Sequence, residues 1–240
     1  MAEPEKIEIH RGLKGVYFER SATSDIDGKA GTLHYRGYSI HDLAEHSTFE
    51  ETAYLLINGE LPTADQLLDF TASLVAARQL PEDIIRIITV LKSAHPMDVL
   101  RTAISALAAF ETNPSTVEKG IRLTAQVPMI IAAHQAVRNG KPVPRPDDDL
   151  GHAGNFLWMV TGRKPSVEAA KLINKDFILH AEHGSNASSF AARVVIGTNA
   201  DLHAAITTAL AALSGPAHGG AAEDVMRMAA EIGTAKNAAA

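Results

Sequence analysis

The chain predicts a mainly α-helical fold with a small β element near its N-terminal end. Three observations carry that expectation. Aromatic residues make up only 5 % of the 240 residues while alanine is abundant, and alanine both favours helix and lets helices approach closely. Several segments open on a Ser or Thr followed three residues later by Glu or Gln, the reciprocal pattern that closes a helix N-terminus. The only good β signal lies near the start.

In chain order, Val16-Tyr17-Phe18 and Thr32-Leu33-His34-Tyr35 flank the turn-rich stretch 24–31, which reads as a hairpin or two short strands. Everything after Tyr38 reads helical. Thr48 with Glu51 opens a helix over 49–58, stopped by Gly59. Thr63 with Gln66 opens one over 64–79, ahead of Leu80-Pro81. His95-Pro96 starts a helix over 97–111, in which Val99, Leu100, Ala103, Ile104 and Leu107 recur on one face. Ser115 with Glu118 opens a long helix towards Asn139-Gly140, with a kink expected at Pro128. The stretch 141–149 holds three prolines and ends in three aspartates, so it reads as a surface connection and not a metal site. A short helix follows over 152–161 and is broken by Gly162-Arg163-Lys164-Pro165. Ser166 caps a pattern that runs as one long helix to about Thr198. The alanine-rich helix 202–213 is apolar nearly all round, which predicts full burial. After a glycine-rich turn a last helix begins near Ala221. No internal repeat stands out. The expected division is an N-terminal arm over 1–38 and a large helical domain over 39–240.

Composition removes several function classes. With no cysteine there are no disulfides, thiolate zinc sites, iron–sulfur clusters or cysteine nucleophile. Lys and Arg number 22 against 28 Asp and Glu, a net charge of −6, which disfavours nucleic acid as the main partner. No apolar run approaches the roughly 18 residues of a membrane span. The charged N-terminus lacks an apolar signal core. A soluble, cytoplasmic protein with no membrane partner is therefore expected.

Two segments could carry chemistry. The first is His180-Ala181-Glu182-His183 with the small polar run 184–188, inside the expected long helix. Such polar side chains either satisfy one another in a core network or meet a ligand. The spacing matches neither HExxH nor HxxEH, and a nucleobase-deaminase site lacks its cysteines. No metal is expected. The second is Gly215-Pro216-Ala217-His218-Gly219-Gly220. It is either a tight inter-helix turn, or a histidine left uncovered so that a neutral imidazole donates to a developing oxyanion. His95 is placed to hold a helix start. His10, His34, His41, His46, His134, His152 and His203 read as solvent-facing or structural, and Trp158 as core packing.

The segments GLKGVYFERSATSDIDGKAGTLHYRGYSIHDLAE, ETAYLLINGELPT, SAHPMDVLRTAISAL, HAEHGSNASSFAARVV and LSGPAHGGAAEDVM occur in this order. Together they resemble the citrate synthase family of the bacterial type, which includes the 2-methylcitrate synthases. The resemblance runs from about Gly12 to Gly233. It implies a mainly α fold, with a large helical domain, a smaller domain and an active site in the cleft between them. It implies a homodimer and a condensation of acetyl-CoA with oxaloacetate to citrate and CoA, in the tricarboxylic acid cycle. No permanently bound cofactor is implied; the coenzyme A thioester is a substrate.

By the same resemblance His218 is the catalytic histidine that hydrogen-bonds the thioester carbonyl and stabilises its enol. His183 holds oxaloacetate, Asn186 lines the same pocket, and Ser188 orients His218. Two positions depart from the family pattern, Ala217 for a leucine and Ala222 for an asparagine, and both shrink the surroundings of His218. The family's later Gly-Phe-Gly-His-Arg-Val-Tyr word, its proton-abstracting aspartate and its carboxylate-binding arginines have no match here. The expectation is thus the N-terminal portion of a citrate synthase, with the small domain mostly missing and no turnover by this chain alone. Two alternatives stand beside it: a non-catalytic citrate synthase-like binding protein, and a 2-methylcitrate synthase using propionyl-CoA.

Overall fold

The computed structural model describes residue 15, residues 20–112 and 114–234, and residue 237. The expected strand at Val16-Tyr17-Phe18 lies outside them, and so does the side chain of Ala222. A three-stranded antiparallel sheet comes first, β1 (Ser24–Asp27), β2 (Thr32–Tyr35) and β3 (Tyr38–Ser39), in the order β1-β2-β3. Ser24 pairs with Tyr35 and Asp27 with Thr32, so the first half of the stretch expected as turn, 24–27, is itself a strand of the hairpin, and only 28–31 makes the turn. Asp27 drives that turn: its Oδ1 accepts the backbone N–H groups of Lys29 and Ala30 at 2.8 and 3.0 Å.

Eleven α-helices follow among the described residues: α1 (Ile40–His46), α2 (Phe49–Asn58), α3 (Ala64–Ala76), α4 (Glu82–Val90), α5 (Pro96–Leu107), α6 (Thr116–Arg138), α7 (His152–Thr161), α8 (Val167–His180), α9 (Ala187–Ile196), α10 (Leu202–Leu213) and α11 (Gly220–Ile232). The capping boxes expected at Thr48, Thr63 and Ser115 all form. His95 holds the start of α5, its Nδ1 accepting the N–H of Met97 at 3.3 Å. The N-terminus of α7 is closed from a distance. Its cap, Gly151, has no side chain, and the Glu50 carboxylate of α2 accepts the His152 N–H at 2.6 Å.

The main core lies between α4, α5 and α6, where Ile84, Ile88, Val99, Ile104 and Ile130 are almost fully buried, and α10 lays Leu202, Ile206 and Leu210 against it. A second cluster joins the sheet to the helices through Tyr35, Ile40, Leu43, Leu55 and Ile178. In the connection between α6 and α7, Asp148 and Asp149 are exposed as expected. The buried Arg78 anchors this connection by donating to the carbonyls of Asp147 and Leu150, each at 2.8 Å.

Four expectations need correction. The helix expected over 167–198 is two helices, because Gly184 sits at φ +85° and Asn186 caps a new start at α9. The helix expected over 97–111 ends at Leu107 and tightens into a 3-10 turn over Ala108–Phe110. α3 stops at Ala76, three residues short. α10 is not fully buried: His203 and Ala205 are buried, and much of its alanine face is half covered. α6 runs unbroken through Pro128, which removes one rung of its ladder in a helix packed on several sides.

Candidate functional site

His183 lies in the turn between α8 and α9, and His218 in the turn between α10 and α11. α9 and α10 pack closely against one another, which brings the two turns together. The first turn is built by local rules. Gly184 adopts the left-handed conformation, its N–H donates to Glu182 Oε2 at 2.7 Å, and an added Cβ would meet Ile26 Cδ1 of β1 at 3.0 Å. The fully buried Tyr35 of β2 reaches under the turn. Its hydroxyl donates to the Glu182 carbonyl at 2.7 Å and accepts the Glu182 N–H at 3.1 Å. Asn186 then closes α9 with a capping box: its Oδ1 accepts the Ser189 N–H at 2.9 Å and its own N–H donates to Ser189 Oγ at 2.9 Å.

The second turn folds over the end of α10. The N–H of Gly219 donates to the Leu213 carbonyl at 2.9 Å and that of His218 to the Gly215 carbonyl at 2.9 Å. A Cβ on Gly219 would collide with the Leu213 carbonyl, so glycine is required there by close approach. Ala217 is exposed.

All four residues singled out in the sequence meet in one hydrogen-bonded chain. His183 Nε2 lies 3.4 Å from Asn186 Nδ2. Ser188 Oγ donates to Asn186 Oδ1 at 2.7 Å. His218 Nε2 lies 3.0 Å from the same Ser188 Oγ. His183 is exposed and His218 half-buried, so both rings keep faces open to a ligand. The arrangement can hold an anionic or carbonyl oxygen at His183 and present a second imidazole, oriented by a hydroxyl, a short distance away.

With this geometry in hand, the family model described as citrate synthase, C-terminal domain, matches residues 12–240. The chain belongs to the citrate synthase family. Among curated relatives, the citrate synthase of Haloferax volcanii is 40 % identical over 236 residues, covering 94 % of this chain and 62 % of its own length. The citrate synthase of Mycolicibacterium smegmatis is 43 % identical over 244 residues, covering 98 % and 64 %. The 2-methylcitrate synthase of Mycobacterium tuberculosis is 41 % identical over 239 residues, covering 98 % and 61 %. The chain therefore spans less than two thirds of these relatives. Among solved structures, citrate synthase from Pyrobaculum aerophilum matches with a TM-score of 0.89 at 40 % identity, covering 94 % of this chain and 60 % of that one. The ternary complex of Thermoplasma acidophilum citrate synthase with carboxymethyl coenzyme A and oxaloacetate matches at 0.89 and 31 % identity, covering 94 % and 61 %. The citrate synthase-like, mainly α fold expected from the sequence is the fold observed.

Of the histidines read as solvent-facing or structural, three are buried and structural. His152 is buried, stacks on Phe49 with ring centroids 4.7 Å apart, and has its pKa lowered to about 4, first by burial and then by the Arg78 charge. His203 shows no partner pattern in the sequence. It is buried beside Glu111 at 3.6 Å and Asp201 at 3.8 Å, with its pKa lowered by burial. His134 is buried and its Nε2 lies 3.2 Å from the Lys92 carbonyl. Trp158 bonds the Arg145 carbonyl at 2.8 Å through its indole N–H. Among the described residues no group of three or more His, Asp or Glu is placed to hold a metal ion. No described helix is long and apolar enough to cross a membrane.

The sequence reading missed Tyr35 and Glu182, which shape the His183 turn. A signal was available: a tyrosine that shares the apolar face of its strand with Leu33 needs a partner for its hydroxyl, and a glutamate two residues before a glycine is placed to accept that glycine's N–H.

Proposed function

We propose that the chain carries the oxaloacetate-holding and enol-stabilising part of an acyltransferase site, which condenses acetyl-CoA with oxaloacetate to citrate and CoA. The observation that supports this reading best is the 3.0 Å contact between His218 and Ser188, tied through Asn186 to His183. His183 holds oxaloacetate by hydrogen bonding, with Asn186 lining the same pocket. His218 turns Nε2 to Ser188, so its Nδ1 is the atom left to donate to the thioester carbonyl. Removal of a proton from the acyl α-carbon puts charge on that carbonyl oxygen, and a positioned N–H stabilises it. The enol carbon then bonds to the ketone carbon of oxaloacetate. Hydrolysis of the resulting citryl thioester releases CoA. Proton abstraction needs a placed base. None of the described residues bonded to His218 is a carboxylate, so we assign that step to the part of the family's fold that the chain does not span and expect no turnover by this chain alone. No permanently bound cofactor takes part.

A propionyl-CoA-using, 2-methylcitrate-forming activity is the second reading. It is supported by relatives of both kinds at nearly equal identity and by the small Ala217 beside His218. We further propose a cytoplasmic homodimer joined through α5 and α6, supported by the exposure of Ile131 and Val117 along α6. Sedimentation at micromolar concentration tests this, and a monomer would count against it. The functional reading is tested by calorimetry with oxaloacetate. His183→Ala is expected to weaken binding about tenfold or more, the usual cost of losing a hydrogen bond to a charged group. Equal affinity in the two proteins would overturn the reading.

A further inference from the structure

The Ser188 hydroxyl has one proton and two neighbours that compete for it, Asn186 Oδ1 at 2.7 Å and His218 Nε2 at 3.0 Å. The orientation of the Asn186 amide is not free. Its oxygen is committed to the Ser189 N–H at 2.9 Å, and its nitrogen lies toward His183 Nε2 at 3.4 Å. An amide oxygen can only accept. The 2.7 Å contact between two oxygens therefore needs the Ser188 proton between them. With that proton spent on Asn186, Ser188 Oγ can meet His218 Nε2 only as an acceptor. Nε2 must then carry the ring proton, and in the neutral imidazole Nδ1 is left as a lone pair.

Donation to a thioester carbonyl requires the other tautomer, because Nε2 is turned to Ser188. We propose that Asn186 is a positioning residue for His218: through Ser188 it holds the free chain in the Nε2–H tautomer, and the ring becomes a donor at Nδ1 only when the Ser188 hydroxyl turns from Asn186 to His218. The proton balance is simple. Nε2 releases a proton to water, Nδ1 takes one up, and the hydroxyl rotates about its C–O bond to donate to Nε2. No net charge is gained. An acceptor placed at Nδ1 favours the second state, so the carbonyl of the acyl substrate is the group that throws the switch. This inference rests on the reading of His218 as donor to that carbonyl.

Long-range proton–nitrogen NMR of the 240-residue chain, labelled with nitrogen-15 at histidine and held at alkaline pH, reads the tautomer directly. A protonated ring nitrogen and a bare one resonate far apart. The wild type is expected to show a protonated Nε2 and a bare Nδ1 at His218. An unconstrained imidazole also favours that form, so the decisive protein is Asn186→Gly. Glycine is well tolerated as a helix N-cap and takes away the competing oxygen. The Ser188 hydroxyl then has only His218 to serve, and the His218 pattern inverts to a protonated Nδ1. Asn186→Asp keeps an accepting oxygen and the cap, and is expected to retain the wild-type pattern. A protonated Nδ1 in the wild type, or in Asn186→Asp, would overturn the proposal. So would an unchanged pattern in Asn186→Gly with α9 intact. None of these readouts needs a ligand. Inversion in Asn186→Gly beside a wild-type chain that fails to bind oxaloacetate would overturn the reading of the site and leave the tautomer control standing.

Discussion

The hydroxyl of Tyr35 and the backbone of Glu182 are bonded in both directions, at 2.7 Å to the carbonyl and 3.1 Å from the amide. A strand residue thereby fixes Glu182, 147 positions away in the chain, and with it the turn that carries His183. Ile178 of α8, whose carbonyl lies 3.1 Å from the same hydroxyl, packs in one buried cluster with Tyr35. The N-terminal sheet is thus a support for the site and not only a cover for the core.

Tyr35→Phe leaves the Glu182 amide and carbonyl without their buried partner. The expected loss of stability is about 1–3 kcal/mol, the usual cost of orphaned buried polar groups. It is read from urea midpoints. Faster hydrogen exchange at Glu182 and Gly184, with the α5–α6 core unchanged, is the local signature. Unchanged exchange at both amides would mean the turn holds itself.

Stability is expected to fall as the medium is acidified from about pH 6.5 to about pH 4. His152 is held neutral by burial, its folded pKa lowered from 6.5 to about 4. Between those values the unfolded chain binds a proton that the folded chain refuses, so stability is present above the unfolded pKa and is lost as pH drops toward the folded one. The size is on the order of 3 kcal/mol for a shift of this extent. His203, also lowered by burial, acts in the same direction. Denaturation measured across this window checks the slope, and His152→Gln should flatten much of it.

Gly219→Ala and Gly28→Ala separate two uses of glycine. At Gly219 a Cβ collides with the Leu213 carbonyl, so the backbone must move and carry His218 away from Ser188. A loss of about 1–3 kcal/mol is expected. At Gly28 a Cβ meets nothing within 4 Å, and the change should be within about 0.5 kcal/mol of neutral. Paired thermal melts decide it; equal effects would remove close approach as the reason for glycine at 219.

Ser115→Ala removes one half of the capping box of α6, the helix around which α3, α4, α5 and α7 gather. A cost of about 1 kcal/mol is expected from the denaturation midpoint. A change within error would show that tertiary packing alone holds that end.

Much of this molecule was readable in advance because its helix starts are local. Thr48, Thr63 and Ser115 each close their helix with a residue three positions on, and no distant contact is needed. The break at Gly184 was missed for the opposite reason. The polar run 184–188 marks the place, but the apolar pattern resumes beyond it, and the pull of the distant Tyr35 on Glu182 completes the turn that Gly184 and the Asn186 cap begin. The partial burial of α10 escaped because alanine content reports what a helix tolerates, not what covers it. His183, Asn186, Ser188 and His218 were singled out through ordered segments resembling a known family. What no segment shows is the order of their bonds, which depends on how α9 packs against α10. The distant cap that Glu50 gives α7 lies 102 positions away and left no trace in spacing.

The most direct measurement is a titration of the wild-type chain with oxaloacetate, followed through the ring signals of His183 and His218. If these residues form the oxaloacetate-holding part of the site, the His183 signals shift saturably, and His183→Ala weakens binding about tenfold or more. His46→Ala, on the exposed end of α1, leaves the affinity unchanged. Saturable binding that survives His183→Ala, or no response at either ring, would contradict it.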